Sequence, residues 1–391
     1  MEFALTPEQE QFAQEFREYL REHMTAEVRA EIENRRMQRG PVYKEFVRQM
    51  GRDGWLGVGW PKEYGGQGRS PMEQHIFYEM TAYERITLPL MALNAVGPAV
   101  IRVGSEEMKQ KVLPPILRGE VEVAIGYTEP ESGTDLASLS TAAVRDGDDY
   151  IINGQKVFTS CADFADYLWI AARTDPNSPK KHNGISVFLI PMDTPGITIE
   201  PMYLLGGERN NATFYDNVRV PKNCLVGEEN MGWKYITTQL DFERIALSPS
   251  SPLRRKIDDV IQWAKETSVD GEPVIRQPWV RSKITELAME VEVLKILNYY
   301  LAWLITNGVV PYAEASMIKV LGSELTQRVN GSLLQMMGQF GQLQTGSKWA
   351  PLMGGIEQDF RSDVILTFGG GASEIQRNII AMAGLGMPRA M

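Results

Sequence analysis

Two stretches of the chain carry residue types that could do chemistry. The first runs Ala124-Ile-Gly-Tyr-Thr-Glu-Pro-Glu-Ser-Gly-Thr-Asp135 and mixes Gly126, Pro130 and Gly133 with hydroxyls at Tyr127, Thr128, Ser132 and Thr134. Such a loop presents backbone N–H groups and side-chain donors together, which suits an anionic or heteroatom-rich ligand. The same residue types dominate plain turns, so composition alone leaves a polar turn between strands equally open. The second is Glu243. Trp233, Ile236, Leu240, Glu243 and Leu247 recur at intervals of three and four, which sets the carboxylate on an apolar helical stripe. Its helical neighbours Gln239, Leu240, Ala246 and Leu247 include no cation. Burial there would raise its pKa toward the working range of a general base. Periodicity also allows a Glu at a solvent-lapped stripe edge, or one paired with an arginine across a bundle.

Composition narrows the chemistry. Hydrophobic residues make up 43% and charged residues 23% of the 391, an ordinary globular balance long enough for two or three domains. A formal charge of −10 argues against nucleic acid and anionic membrane surfaces as partners. The histidines, His23, His75 and His182, are far apart, and Cys161 and Cys224 make no Cys-x-x-Cys spacing, so no metal site is expected. The start, Met-Glu-Phe-Ala-Leu-Thr-Pro-Glu-Gln, is not a secretory signal, and no apolar run of about 18 residues is present to span a bilayer. The expectation is a cytoplasmic enzyme with reduced thiols.

These groups need elements to hold them. Thr6, Pro7 and Gln9 spell a capping box with proline at the first helical position, followed by Phe12, Phe16, Tyr19 and Leu20 at helical spacing. Further helices are expected around 43–53, 71–84, 90–103 and 105–118. The run Trp55-Leu-Gly-Val-Gly-Trp-Pro-Lys-Glu-Tyr-Gly-Gly-Gln-Gly68 is too glycine-rich for a helix and misses the dinucleotide-binding spacing. Near Val121 the pattern changes to short β-branched and aromatic runs: Tyr150-Ile-Ile-Asn, Tyr167-Leu-Trp-Ile-Ala-Ala, Ile185-Ser-Val-Phe-Leu-Ile and Ala212-Thr-Phe-Tyr-Asp-Asn-Val-Arg-Val. Helical periodicity returns over 230–248, 253–266, 279–306, 311–340 and 372–384, interrupted by a polar break at 267–278 and by Phe368-Gly-Gly-Gly371. The fold class is α+β, with an N-terminal helical domain over 1–120, a middle β-domain over 121–230 and a C-terminal helical bundle over 231–391.

That order, with three motifs, resembles the acyl-CoA dehydrogenase family over nearly the whole chain. Tyr127-Thr-Glu-Pro-Glu-Ser-Gly-Thr-Asp135 is similar to the family's flavin loop. Asn153-Gly-Gln-Lys-Val-Phe-Thr-Ser160 is similar to the segment against the isoalloxazine ring, and Gly371-Ala-Ser-Glu-Ile-Gln-Arg377 to the C-terminal motif near flavin and substrate. The resemblance implies FAD as cofactor, held by Tyr127, Thr128, Thr134, Phe158, Ser160 and Glu374. An aromatic ring packs on a flavin face while hydroxyls and amides hold its polar edge. On its own Phe158 reads first as an ordinary core aromatic, and the motif around it reverses that reading.

The resemblance also implies a reaction: a carboxylate removes the α-proton of an acyl-CoA thioester while the β-hydrogen leaves as hydride to the flavin. In many members the base is a glutamate seven residues before the arginine of the C-terminal motif, a position held here by Gly370. A branch resembling isovaleryl-CoA dehydrogenase carries it in Leu-Asp-x-Glu-Arg, present as Leu240-Asp-Phe-Glu-Arg244. By that resemblance Glu243 is the base, Arg244 shapes its surroundings and meets substrate, and the Gly370 N–H polarises the thioester carbonyl.

Departures from the pattern bear on partners. The Arg-x-x-Phe-Gly element that reaches a neighbour's flavin pyrophosphate is absent at 267–278, Gln339 replaces a glycine in Gln335-Met-Met-Gly-Gln-Phe-Gly341, and Ala372 replaces a threonine. The combination resembles the catalytic subunits of heteromeric bacterial dehydrogenases that degrade steroid side chains. It implies a second, unlike acyl-CoA dehydrogenase-like subunit, a bulky acyl group and an electron-transfer flavoprotein as acceptor. Two other readings share the fold: a flavin oxidase or monooxygenase, and a non-catalytic structural subunit, which would have no need of Glu243.

Overall fold

Helix α1 (Pro7–His23) begins as its sequence prescribes: Thr6 Oγ1 accepts the Gln9 N–H at 3.3 Å, and Gln9 Oε1 accepts the Thr6 N–H at 3.0 Å. The computed structural model describes residues 4–34, 40–243 and 249–388, and of 238–243 the backbone alone. Helices α2 (Ala26–Glu33), α3 (Pro41–Arg52) and α4 (Pro71–Tyr83) follow, then a π-helical turn (Met91–Val96) running into α5 (Gly97–Val103), and α6 (Glu106–Leu117). The glycine-rich run at 55–68 folds as two short 3₁₀ turns against this layer. A Cβ on Gly66 would lie 2.1 Å from the Trp60 carbonyl oxygen, so the chain closes there only with glycine. Trp60 in turn donates its indole N–H to the Leu93 carbonyl inside the π turn at 2.9 Å.

Seven strands among the described residues form one sheet: β1 (Val123–Gly126), β2 (Ala142–Asp146), β3 (Asp149–Lys156), β4 (Tyr167–Arg173), β5 (Ile185–Pro191), β6 (Ile197–Tyr203) and β7 (Arg209–Val220). Strand β4 pairs antiparallel with β5 along one edge and parallel with β1 along the other, while β3, β7 and β6 continue the sheet antiparallel. Strands β4 and β5 are buried almost throughout, with Trp169, Ile170, Val187 and Phe188 at 0% exposure, as their continuous apolar runs require.

The C-terminal part is helical: α7 (Gly232–Glu243), α8 (Ser251–Glu266), α9 (Pro278–Thr306), α10 (Tyr312–Met336), α11 (Gly355–Ser362) and α12 (Ser373–Ile379). Its core is Leu253, Ile257, Leu287, Leu294, Leu325 and Leu333 between α8, α9 and α10. Three details differ from the sequence expectation. The break at 267–278 holds a two-stranded hairpin, Ser268–Val269 with Glu272–Pro273, turned by Asp270 and Gly271 at φ 52° and 83°. Helix α10 stops at Met336, because Gly338 at φ 58° turns the chain out of the helix, so the expected continuation to 340 is a 3₁₀ turn. Strands β1, β2 and β6 and helices α2 and α11 are additions.

Candidate functional site

Strand β1 ends at Gly126 and the chain turns outward at Tyr127. Two hydrogen bonds fasten this turn to the end of β3: Lys156 Nζ donates to the Tyr127 carbonyl at 3.1 Å, and the Val157 N–H to the Thr128 carbonyl at 2.8 Å. Trp169 Nε1 donates to the Tyr127 hydroxyl oxygen at 2.7 Å. Beneath the turn Lys156 meets Glu129 at 2.8 Å, at 0% and 4% side-chain exposure. Glu129 also accepts from the Ser140 N–H at 2.6 Å, the Ser140 hydroxyl at 2.8 Å and the Thr141 N–H at 2.9 Å. Burial opposes its ionised form, but Lys156 and these donors outweigh it and hold the carboxyl down to about 2. The two motif segments recognised in sequence are therefore one wall, joined through a buried ion pair.

The next residues face outward from that wall. Phe158 has φ 56° and is 49% exposed, an unusual pairing for a large aromatic. Its backbone is held by its neighbours: Thr159 is buried, its N–H donates to the Asn211 carbonyl at 3.0 Å, and Asn211 Nδ2 returns to the Thr159 carbonyl at 3.2 Å. Ser160 is an exposed residue, and its Oγ accepts from Asn210 Nδ2 at 3.0 Å. Thr134 is also exposed, on a loop held by the Ser132 hydroxyl donating to the Asp135 carbonyl at 2.8 Å. A strained backbone that presents an aromatic face near exposed hydroxyl-bearing residues fits a flat ring with a heteroatom edge. Tyr127, Thr128, Thr134, Phe158 and Ser160 thus lie on connected segments suited to hold a flavin.

Gly370 lies in the turn before α12, and Glu374 lies within α12. Gly370 has φ 67° and Gly371 φ 101°, a left-handed turn leading into α12. Lys319 of α10, 7% exposed, donates from Nζ to the Gly371 carbonyl at 2.5 Å. Burial pulls the Lys319 ammonium below its usual value, and Glu374, exposed in the first turn of α12, opposes that. A cavity of about 360 Å³ is lined by Gly370, Lys319, Lys256, Leu253, Leu294 and Pro249. A larger one, about 620 Å³, lies between α1, α4, α8 and α9 and is lined by none of the candidate flavin, base or substrate residues.

Glu243 is the last residue of α7, and its side chain and Arg244 lie outside the described residues. What positions α7 is visible. Its start is pinned to β5 by the Ile185–Met231 bridge, and a Cβ on Gly232 would sit 2.8 Å from the Ile185 carbonyl oxygen. The Trp233 ring meets His182 edge-on at 4.7 Å, and Ile236 is buried at 1% exposure, as the apolar stripe requires. The helix then packs against the π turn and α5.

Sequence reasoning assigned no role to Glu129, Lys156, Asn210 or Lys319. The first two stand inside the quoted motifs, where a Glu before Pro130 and a Lys in a strand were available as a signal. Asn210 and Lys319 sit in segments with no such pattern. Among the described residues no group of three or more His, Cys, Asp or Glu could hold a metal, and no helix is long and apolar enough to cross a membrane.

Comparison with known proteins gives the family and agrees with the fold. Residues 6–120, 124–218 and 230–385 match the models for the N-terminal, middle and C-terminal domains of acyl-CoA dehydrogenases. The chain is 43% identical to acyl-CoA dehydrogenase FadE26 of Mycobacterium tuberculosis, covering 100% of both. It is also 43% identical to FadE29 of the same organism, covering 98% of both. Among solved structures it is similar to a chain of the ChsE4-ChsE5 complex from Mycobacterium tuberculosis (TM-score 0.91, 43% identity, 100% of both chains). The Tcur3481-Tcur3483 steroid ACAD matches equally well (TM-score 0.91, 42% identity, 100% of both).

Proposed function

The chain belongs to the acyl-CoA dehydrogenase family, and we propose that it is the base-bearing subunit of a heteromeric, FAD-dependent enzyme acting on bulky, steroid side-chain-type acyl-CoA thioesters. Glu243 takes the α-proton. Tyr127, Thr128, Thr134, Phe158, Ser160 and Glu374 hold the flavin, which when bound supplies the hydride acceptor for the β-hydrogen. The Gly370 N–H donates to the thioester carbonyl, so that negative charge developing there as the α-proton leaves meets a fixed dipole. Arg244, next in sequence, is assigned the role of shaping the base's surroundings and meeting substrate. An electron-transfer flavoprotein serves as acceptor.

One observation carries this reading. The position where many relatives place a carboxylate is a left-handed glycine, while a glutamate ends the helix wedged between β5 and the π turn. A chain that only completed a partner's site would need neither. The unlike partner is supported by the two related complexes and by an apolar surface on this chain. Along α9, Met289, Val293, Ile296 and Trp303 are exposed on one face at helical spacing. The test is purification alone and with candidate partner chains, scoring the flavin spectrum and its bleaching by a panel of acyl-CoAs. Flavin acquired only with the partner and bleached by bulky acyl-CoAs is expected. Full flavin in the chain alone contradicts the heteromeric reading, and bleaching by short straight-chain substrates alone contradicts the substrate class.

A further inference from the structure

Asn210, the second residue of β7, is 4% exposed, with both ends of its amide committed. Oδ1 accepts the Asn211 N–H at 2.8 Å, which fixes which way round the amide lies. Nδ2 is then the atom that faces Ser160, 3.0 Å from Oγ. An amide N–H can only donate, so Ser160 Oγ accepts there. A hydroxyl carries one proton, so with a lone pair taken by Asn210 the Ser160 O–H points away from Asn210 Nδ2 and is left to donate elsewhere. The backbone beneath is held by the same strand. Asn211 Nδ2 bridges the Thr159 carbonyl at 3.2 Å and Asp163 Oδ1 at 3.0 Å, and its own Oδ1 accepts from Arg209 Nε at 2.9 Å.

We propose that Asn210 is a positioning residue for the flavin, committing the Ser160 hydroxyl as a donor to an acceptor atom on the edge of the isoalloxazine ring. The inference rests on the reading of residues 157–161 as one wall of the flavin site. The ring's edge carries acceptor nitrogens and carbonyl oxygens, and negative charge grows on it as it is reduced. A donor already aimed at that edge stabilises the charge without reorganising at the moment of reaction. Without Asn210, the hydroxyl rotates among several acceptors and the donor is present only part of the time.

The test is a double-mutant cycle on the flavin-loaded protein, prepared with a partner chain where flavin content requires it. Asn210→Asp keeps an acceptor for the Asn211 N–H but removes the donor, so the Ser160 O–H turns to the new carboxylate. Asn210→Leu removes the donor without adding charge and serves where the Asp variant does not fold. Each is made alone and with Ser160→Ala, and the readouts are the flavin's midpoint potential and visible spectrum. Ser160→Ala should lower the potential. Either Asn210 variant should lower it more in the native background than on Ser160→Ala, with a roughly tenfold fall in kcat and little change in KM, the scale of one hydrogen bond. Equal shifts on both backgrounds overturn the role of Asn210. An unchanged flavin in Ser160→Ala instead overturns the placement of Ser160 beside the ring, so the two failures are distinct.

Discussion

Lys156 Nζ and Glu129 Oε1 lie 2.8 Å apart with both side chains buried, and this pair joins the two segments proposed to form one wall of the flavin site. Neither residue faces outward. Their contribution is to hold the Tyr127–Thr128 turn against Val157 and Phe158, because Lys156 also bonds the Tyr127 carbonyl.

Removing the cation leaves the Glu129 carboxylate buried with its hydrogen bonds but without its counter-charge. Lys156→Met should therefore destabilise the protein by about 3–5 kcal/mol, the usual cost of breaking a buried pair from one side. Denaturant unfolding measures the loss. Flavin content in the surviving folded fraction should fall as well, since the wall's two segments are no longer tied.

The same pair makes a pH prediction. The folded state holds the Glu129 carboxyl at about 2, below its ordinary 4.5, so between these values the unfolded chain binds the proton more readily. The stabilisation is complete above about 4.5 and is lost as pH falls through the folded value near 2. Glu129→Gln should flatten the stability profile across that window. An unchanged slope in acid unfolding experiments would remove Glu129 from the account.

Gly370 tests the left-handed turn. A Cβ there meets nothing within 4 Å, so Gly370→Ala brings no clash, only the cost of φ 67°, about 1–2 kcal/mol. The variant should fold and keep its flavin, yet lose kcat as the peptide relaxes away from its donor geometry. A variant with native kcat would detach Gly370 from the thioester.

The exposed face of α9 tests the partner. Val293→Asp and Ile296→Asp change side chains that are 52% and 36% exposed, so the isolated chain should keep its stability within about 0.5 kcal/mol. Assembly with the unlike chain should weaken, as read by light scattering. Stable assembly with both substitutions in place would move the interface elsewhere.

Much of this was legible in the sequence for identifiable reasons. The capping box at Thr6, the buried apolar runs of β4 and β5 and the long periodic stretches of α9 and α10 each carry a local signal that tertiary structure did not override. Strand β6 was hidden because Pro201 sits within it, which is tolerated only because β6 lies at the sheet edge. Helix α11 follows a left-handed Gly354 in a segment with no side-chain cap to announce it. The motifs pointed to the segments proposed for the flavin wall, but not to what supports them. Whether Lys156 would meet Glu129, or Asn210 would meet Ser160, depends on strand pairing between residues 27 and 50 positions apart, which no local pattern encodes.

The central claim is that Glu243 takes the α-proton. Glu243→Gln is close in size and removes only the basic group, so flavin content and spectrum should match the native protein. Rapid mixing with a bulky acyl-CoA should show flavin reduction slowed roughly 10²–10⁴-fold, the range for loss of a general base. Flavin reduction at the native rate in a flavin-replete Glu243→Gln protein would contradict the assignment.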